Sequence, residues 1–204
     1  MEITALFGHA LGCEYINVDN SILENYCYKK MSQHNANRSM GWQSHFIDLN
    51  DAPLNELVKE VNLRLELATE TFKIKKEYAP KLTTGWININ SPKGKILENN
   101  KQHLHPGKFL SFVYYVKATS NSGNLNLVSP THDLLSYSIP NQVFEEYNTL
   151  NSLKWRVSPD SGLLVMFPGW VQHYADQNFG LTDRISLVFN ADLQNLDTII
   201  TPEI

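Results

Sequence analysis

Apolar residues along this chain keep two different rhythms, and the change falls near residue 85. Before it, Leu54, Leu57, Val58, Val61, Leu65 and Ala68 recur at i, i+3, i+4 and i+7, the single apolar stripe of an amphipathic helix. Asn50 or Asp51 is placed to cap that helix, and Pro53 suits its first turn, where a missing N–H costs nothing. The helix is expected to end before Pro80. After residue 85 the runs are short and rich in Val, Ile, Phe and Tyr. They predict strands at GWININ (85–90), FLSFVYYVKA (109–118), NLNLVS (124–129), LLVMFP (163–168) and RISLVFNA (184–191). Ser91-Pro92-Lys93-Gly94, Asn121-Ser122-Gly123 and Pro159-Asp160-Ser161-Gly162 supply turns between them.

These elements predict a mainly β fold, an antiparallel sandwich or barrel with helices on its flank. The first dozen or so residues read as a lead-in strand, 28–41 as an irregular polar loop, and 141–154 as the place of one short helix within QVFEEYNTL. No repeat, low-complexity tract or linker interrupts the chain. Its 204 residues therefore predict one domain, with an N-terminal strand and helix over 1–80 and a core over about 85–191.

Composition narrows the classes of function. Hydrophobic residues make up 42% and charged residues 19%, enough for a packed core and too little charge for disorder. A net charge of −4, with Lys73, Lys75 and Lys76 balanced by Glu70 and Glu77, gives no basic face for nucleic acid. Cys13 and Cys27 are too few for a disulfide framework and fit a reducing compartment. With no basic leader and no apolar run of about 18 residues, the chain reads as cytoplasmic and free of the membrane.

Of seven histidines, three have settings that suggest chemistry. His103 and His105 are two apart in QHLHPG, so an extended segment turns both imidazoles to one face. His173 closes the apolar run GLLVMFPGWVQH. A nitrogen-rich set of this kind suits Fe, Zn, Cu or Ni. An HxH pair alone is a weak signal, and a histidine after an apolar strand is more often a rim or core residue. Arg184 changes the balance. It stands eleven residues past His173, beyond a turn at Gln177-Asn178-Phe179-Gly180, and shares strand parity with Ser186. A guanidinium with a neighbouring hydroxyl is the expected clamp for a carboxylate.

Taken in order, Trp86-Ile87-Asn88, His103-Leu104-His105-Pro106, Leu110-Ser111-Phe112-Val113-Tyr114-Tyr115-Val116, His173 and Arg184-Ile185-Ser186-Leu187-Val188-Phe189-Asn190 form a recognisable set. It resembles the double-stranded β-helix (jelly-roll) oxygenases that use Fe(II) and 2-oxoglutarate, and among them a branch of phages and marine bacteria with an HxHP motif. Gly41-Trp42-Gln43-Ser44 is similar to that branch's N-terminal G-W-Q-S, so the likeness runs from about residue 40 to 191. The host cytoplasm would be the setting if the gene is phage-borne.

The resemblance implies His103 and His173 as iron ligands and Arg184 as the partner of the 2-oxoglutarate C5 carboxylate, with Ser186 beside it. Tyr115 is similar to a tyrosine that bonds the same carboxylate in prolyl-hydroxylase-like relatives. Ser111, of the same parity, and Asn88 are expected on the cofactor side, and Asn190 beside the substrate. It implies O2 as co-reactant, hydroxylation as the default outcome, and a small-molecule or peptide substrate. Two residues depart from the pattern. His105 stands where most of the superfamily has a carboxylate, and is either a third neutral ligand or a neighbour of the ligand sphere; its bulk speaks against halide binding there. Phe112 replaces an expected glycine and either narrows the pocket or repacks the strand. Two rivals remain open: a cupin-like three-histidine enzyme without 2-oxoglutarate, which leaves Arg184 unexplained, and a jelly-roll binding or virion module whose histidines merely pack.

Overall fold

The computed structural model describes residues 8–34, 41–93, 101–140 and 143–196. Two antiparallel sheets face one another. The larger contains, in spatial order, β1 (Gly12–Tyr15), β7 (Leu163–Pro168), β4 (Leu110–Lys117), β9 (Arg184–Asn195), β3 (Tyr78–Asn90) and β2 (Trp42–Gln43). The smaller runs β6 (Lys154–Val157), β5 (Leu125–Val128), β8 (His173–Ala175). Helices α1 (Asn20–Ser32) and α2 (Asn55–Thr71) cover the back of the larger sheet, and a short α3 (His132–Ser138) follows β5. This is the double-stranded β-helix.

Period-two alternation sorts the larger sheet into two faces. Ile87, Ile89, Leu110, Phe112, Tyr114, Leu187 and Phe189 point back, where they pack with Leu23, Tyr26, Cys27 and Met31 of α1 and with Leu57, Val61, Leu65 and Ala68 of α2. Trp86, Val113, Tyr115, Val165, Phe167 and Val188 point forward and meet Leu125, Leu127 and Val157 of the smaller sheet. The predicted helical stripe is the buried face of α2. Asp51 precedes it without a side-chain cap bond, and Ala52–Leu54 enter as a 3-10 turn holding Pro53. Asp51 instead accepts from Tyr26 Oη at 2.6 Å and pairs with Lys30 at 2.9 Å, tying α2's entry to α1.

Several expectations need correction. Residues 28–32 are the last turns of α1, capped at its start by Asp19, rather than loop; Gln33 and His34 form a turn after it, and residues 35–40 lie outside the described residues, as does Gly94 of the first turn. The polar letters of α1 hid a helix that buries only Leu23, Tyr26, Cys27 and Met31. The lead-in strand is four residues, Gly12–Tyr15, and residues 1–7 lie outside the described part. The short helix occupies His132–Ser138, while 144–153 is turns and irregular backbone, Lys154 opens β6, and residues 141–142 lie outside the described part. Phe112 faces the helices and takes no part in the cavity between the sheets.

Candidate metal centre

His103, His105 and His173 come together at one end of the space between the sheets. Their candidate ligand nitrogens lie within 4.8 Å of one another. The rings of His103 and His173 are 4.3 Å apart, and those of His105 and His173 5.0 Å. The backbone makes this meeting. His103 and His173 face each other in an isolated antiparallel bridge and exchange both main-chain bonds, His103 N to His173 O at 3.0 Å and His173 N to His103 O at 2.8 Å. His105 N then donates to Gly169 O at 2.8 Å, and Gly107, at φ +76°, turns the chain away. His105 thus lies in irregular backbone after a single bridge, not on a continuous strand. His173 opens β8 of the smaller sheet; it does not close the apolar strand β7, because Gly169–Gln172 carries the chain across.

The electrostatics suit a cation. His103 Nδ1 donates to Lys101 O at 2.6 Å and His173 Nδ1 to Val171 O at 3.0 Å. A carbonyl only accepts, so each Nδ1 carries a proton and leaves Nε2 as the nitrogen available to a metal, the arrangement that orients metal-binding imidazoles. Burial holds His173 neutral, its pKa near 3, and burial aided by the charge of His103 lowers His105 to about 4. His105 Nε2 is enclosed and has no partner among the described residues. An ion would satisfy it. Three converging imidazoles, two of them oriented by backbone carbonyls and one with an orphaned buried nitrogen, fit a divalent transition metal.

Beside the histidines the two sheets enclose a cavity of about 400 Å³. The larger sheet floors it with cross-strand rows. One runs Gln43, Asn88, Ser186, Tyr115 across β2, β3, β9 and β4; the next pairs Asn90 with Arg184. Arg184 is only 3% exposed, and no described acidic side chain pairs with it. Its Nη1 is fixed by Ser122 O (2.7 Å), Gly123 O (2.8 Å) and Asp176 O (3.1 Å), which leaves the rest of the fork for a ligand. Burial lowers its pKa, and Tyr115 and Asp176 oppose that shift. The Tyr115 phenol is pushed up to about 12 by burial and stays a neutral donor.

Asn88, Tyr115, Arg184, Ser186 and Asn190 all line the cavity with the three histidines. Ser111 does not: it is fully buried behind Asn190, and its hydroxyl donates to Asn190 Oδ1 at 2.7 Å. Two glycines escaped the sequence reading, Gly123 read only as a turn residue and Gly169 given no role. Gly123 sits at φ +89°, and a Cβ there would lie 2.5 Å from Asp176 O and 2.9 Å from Arg184 Nη1. A Cβ at Gly169 would lie 2.4 Å from Lys108 O, in the segment that holds His105. Gln43 and Phe46 of the cavity wall were also missed, although the G-W-Q-S motif pointed to the first.

Comparison with known proteins adds the identity. A search of curated proteins finds no match. Among solved structures the chain is similar to a prolyl-4-hydroxylase of Pseudomonas putida, at 15% identity and TM-score 0.59 over 90% of this chain and 92% of that one. It is also similar to a viral collagen prolyl hydroxylase of Paramecium bursaria Chlorella virus-1, at 9% identity and TM-score 0.59 over 94% and 95%. A third, a non-haem α-ketoglutarate-dependent carbocyclase of nogalamycin biosynthesis, aligns at 10% identity and TM-score 0.56 over 95% and 84%. At such identities these carry the fold. The family model for 2OG-Fe(II) oxygenases, by contrast, matches residues 84–190, more than half the chain, from the strand bearing Asn88 to Asn190. The chain therefore belongs to the 2OG-Fe(II) oxygenase family, enzymes that work with Fe(II), 2-oxoglutarate and O2.

Proposed function

We propose that His103, His105 and His173 hold the iron and that Arg184, Ser186 and Tyr115 seat the far carboxylate of 2-oxoglutarate, in an oxygenase that hydroxylates a small-molecule or peptide substrate. The observation that carries this reading is the buried Arg184, in hydrogen-bonded contact with no acidic side chain among the described residues, opening into the same cavity as the histidine cluster. A buried guanidinium without a directly bonded carboxylate is costly, and a carboxylate ligand offsets that cost. Ser186 and Tyr115, directly opposite each other on β9 and β4, add neutral O–H donors that a carboxylate accepts.

Iron, 2-oxoglutarate and O2 supply the oxidising chemistry when bound, ending in succinate, CO2 and hydroxylated product. The chain's own share is orientation and exclusion. The carbonyls of residues 122, 123 and 176 fix the fork of Arg184 before ligand arrives, so little order is lost on binding. The Nδ1–H bonds of His103 and His173 hold their Nε2 atoms turned inward. Ser111 locks the side chain of Asn190, which we assign to the substrate side, and Asn88 stands directly opposite Ser186, beside the carboxylate seat.

Within the superfamily we assign the chain to the HxHP-bearing branch of phages and marine bacteria, on the motifs at 86–88, 103–106 and 184–190. We take the two sheets and their covering helices as one catalytic domain acting in the cytoplasm, with Cys13 and Cys27 reduced. The deciding experiment is anaerobic titration of the Fe(II)-loaded protein with 2-oxoglutarate, following the visible metal-to-ligand charge-transfer absorbance. A band in the wild type that His173→Ala abolishes supports the assignment. Iron uptake without a band would refute the cosubstrate seat.

A further inference from the structure

We infer that Gln43 and Asn88 form a second, substrate-binding subsite of this cavity that takes a neutral carboxamide-like group lying against Phe46 and Trp86. The inference rests on reading the cavity as the oxygenase active site and adds to it the chemistry of the substrate.

Gln43 and Asn88 are direct cross-strand partners on β2 and β3, and both line the cavity. Gln43 Oε1 and Asn88 Oδ1 are each enclosed and without a hydrogen-bond partner among the described residues, and Asn88 is only 8% exposed. Two adjacent orphaned acceptors represent desolvation cost that a bound group carrying N–H or O–H donors relieves. 2-Oxoglutarate presents only acceptor oxygens, so it does not answer them. Asn88 stands next to the proposed 2-oxoglutarate seat, opposite Ser186, and Gln43 lies beyond it. Gln43 stands two strands from Ser186 in the same row, roughly 10 Å at ordinary strand spacing.

Charge selects among donors. The described lining contains Lys101 and Arg184 and no Asp or Glu. An ammonium group would enter a cationic cavity without a counter-charge. A carboxylate would set its oxygens against those of Gln43 and Asn88. A neutral amide does neither. Turning either side chain end for end would exchange an unpaired acceptor for an unpaired donor, and an amide, which carries both, satisfies either orientation. The wall completes the fit. Phe46 is 73% exposed at the cavity, and its ring lies 6.3 Å from that of Trp86, which in turn contacts His105 at 5.5 Å. A planar amide or a ring bearing one packs on such faces and is held near the histidines.

Calorimetry on the anaerobic Fe(II)- and 2-oxoglutarate-loaded protein tests this with three probes sharing one ring: benzamide, benzoate and benzylamine. Benzamide is expected to bind about tenfold or more tightly than the other two, the discrimination a site built for hydrogen bonding makes against mismatched groups. Gln43→Leu should abolish that advantage. Gln43→Glu, near in size and on the short edge strand, should reverse it in favour of benzylamine. Equal binding of benzoate and benzamide, no binding of benzamide to wild type, or benzamide binding indifferent to both variants would each overturn the subsite. The 2-oxoglutarate charge-transfer titration keeps the two readings apart. A normal wild-type band with failed probe selectivity sinks the subsite alone, whereas a missing band sinks the oxygenase site on which it rests.

Discussion

Replacing Arg184 separates the two jobs its guanidinium performs. Nη1 fills a nest of three backbone carbonyls, and the remaining donors face the cavity where the carboxylate is proposed to sit. At 3% exposure the pair would be formed out of water, and removing one partner of such a hydrogen-bonded charge pair costs about 2–5 kcal/mol. Arg184→Ala should therefore weaken 2-oxoglutarate binding by about 30- to 4000-fold. Arg184→Lys is the sharper perturbation. It keeps the charge, but one ammonium cannot fill the carbonyl nest and also grip a carboxylate in a planar fork. Its affinity should lie much nearer to Ala than to wild type. The assay is the anaerobic charge-transfer titration, with iron uptake and thermal melting as controls, since the histidines bind through separate backbone. Affinity within threefold of wild type in a folded, iron-loaded Arg184→Ala protein would refute the reasoning.

Gly123→Ala should injure the same seat indirectly. The left-handed backbone and the 2.5 Å approach to Asp176 O predict about 1–3 kcal/mol of strain, seen as a melting point lower by about 2–10 °C together with weaker 2-oxoglutarate binding. His105→Ala should lower iron affinity at least about tenfold if its orphaned Nε2 is a ligand, read by metal competition; unchanged affinity would make it a neighbour of the ligand sphere. Leu57→Ala, in the fully buried face of α2, should cost about 2–5 kcal/mol in denaturant unfolding while the folded protein keeps its 2-oxoglutarate affinity. Asp51 has its carboxyl held low by the Tyr26 hydroxyl and then by Lys30. Its contribution to stability is present above the unfolded value near 3.8 and is lost as pH falls through the lower folded one. Asp51→Asn should therefore reduce stability at neutral pH and flatten the acid limb of a melting-against-pH curve.

The parts of this protein that were legible in its sequence are those governed by local period. The stripe Leu54–Ala68 requires a helix with one apolar face, and the alternating runs from residue 85 require strands with two, so the sandwich and its covering helix follow from spacing alone. The shared parity of Arg184 and Ser186 put both on one face for the same reason. What spacing did not carry is pairing between distant segments. His103 meets His173 through one reciprocal bridge across seventy residues, and no local pattern marks it. Ser111 looked equivalent to Tyr115 by parity, yet a neighbouring strand places Asn190 in front of it. Gly123 read as a turn until Arg184 and the carbonyl of Asp176 closed on it from other parts of the chain. Helix α1 was hidden because its few core residues gain their meaning only from the sheet they cover. The sequence thus determined which faces are apolar and which residue types are at hand, because those depend on neighbours along the chain. Tertiary structure decided which polar groups are buried, paired or left waiting for a ligand, because burial and hydrogen bonding depend on neighbours in space.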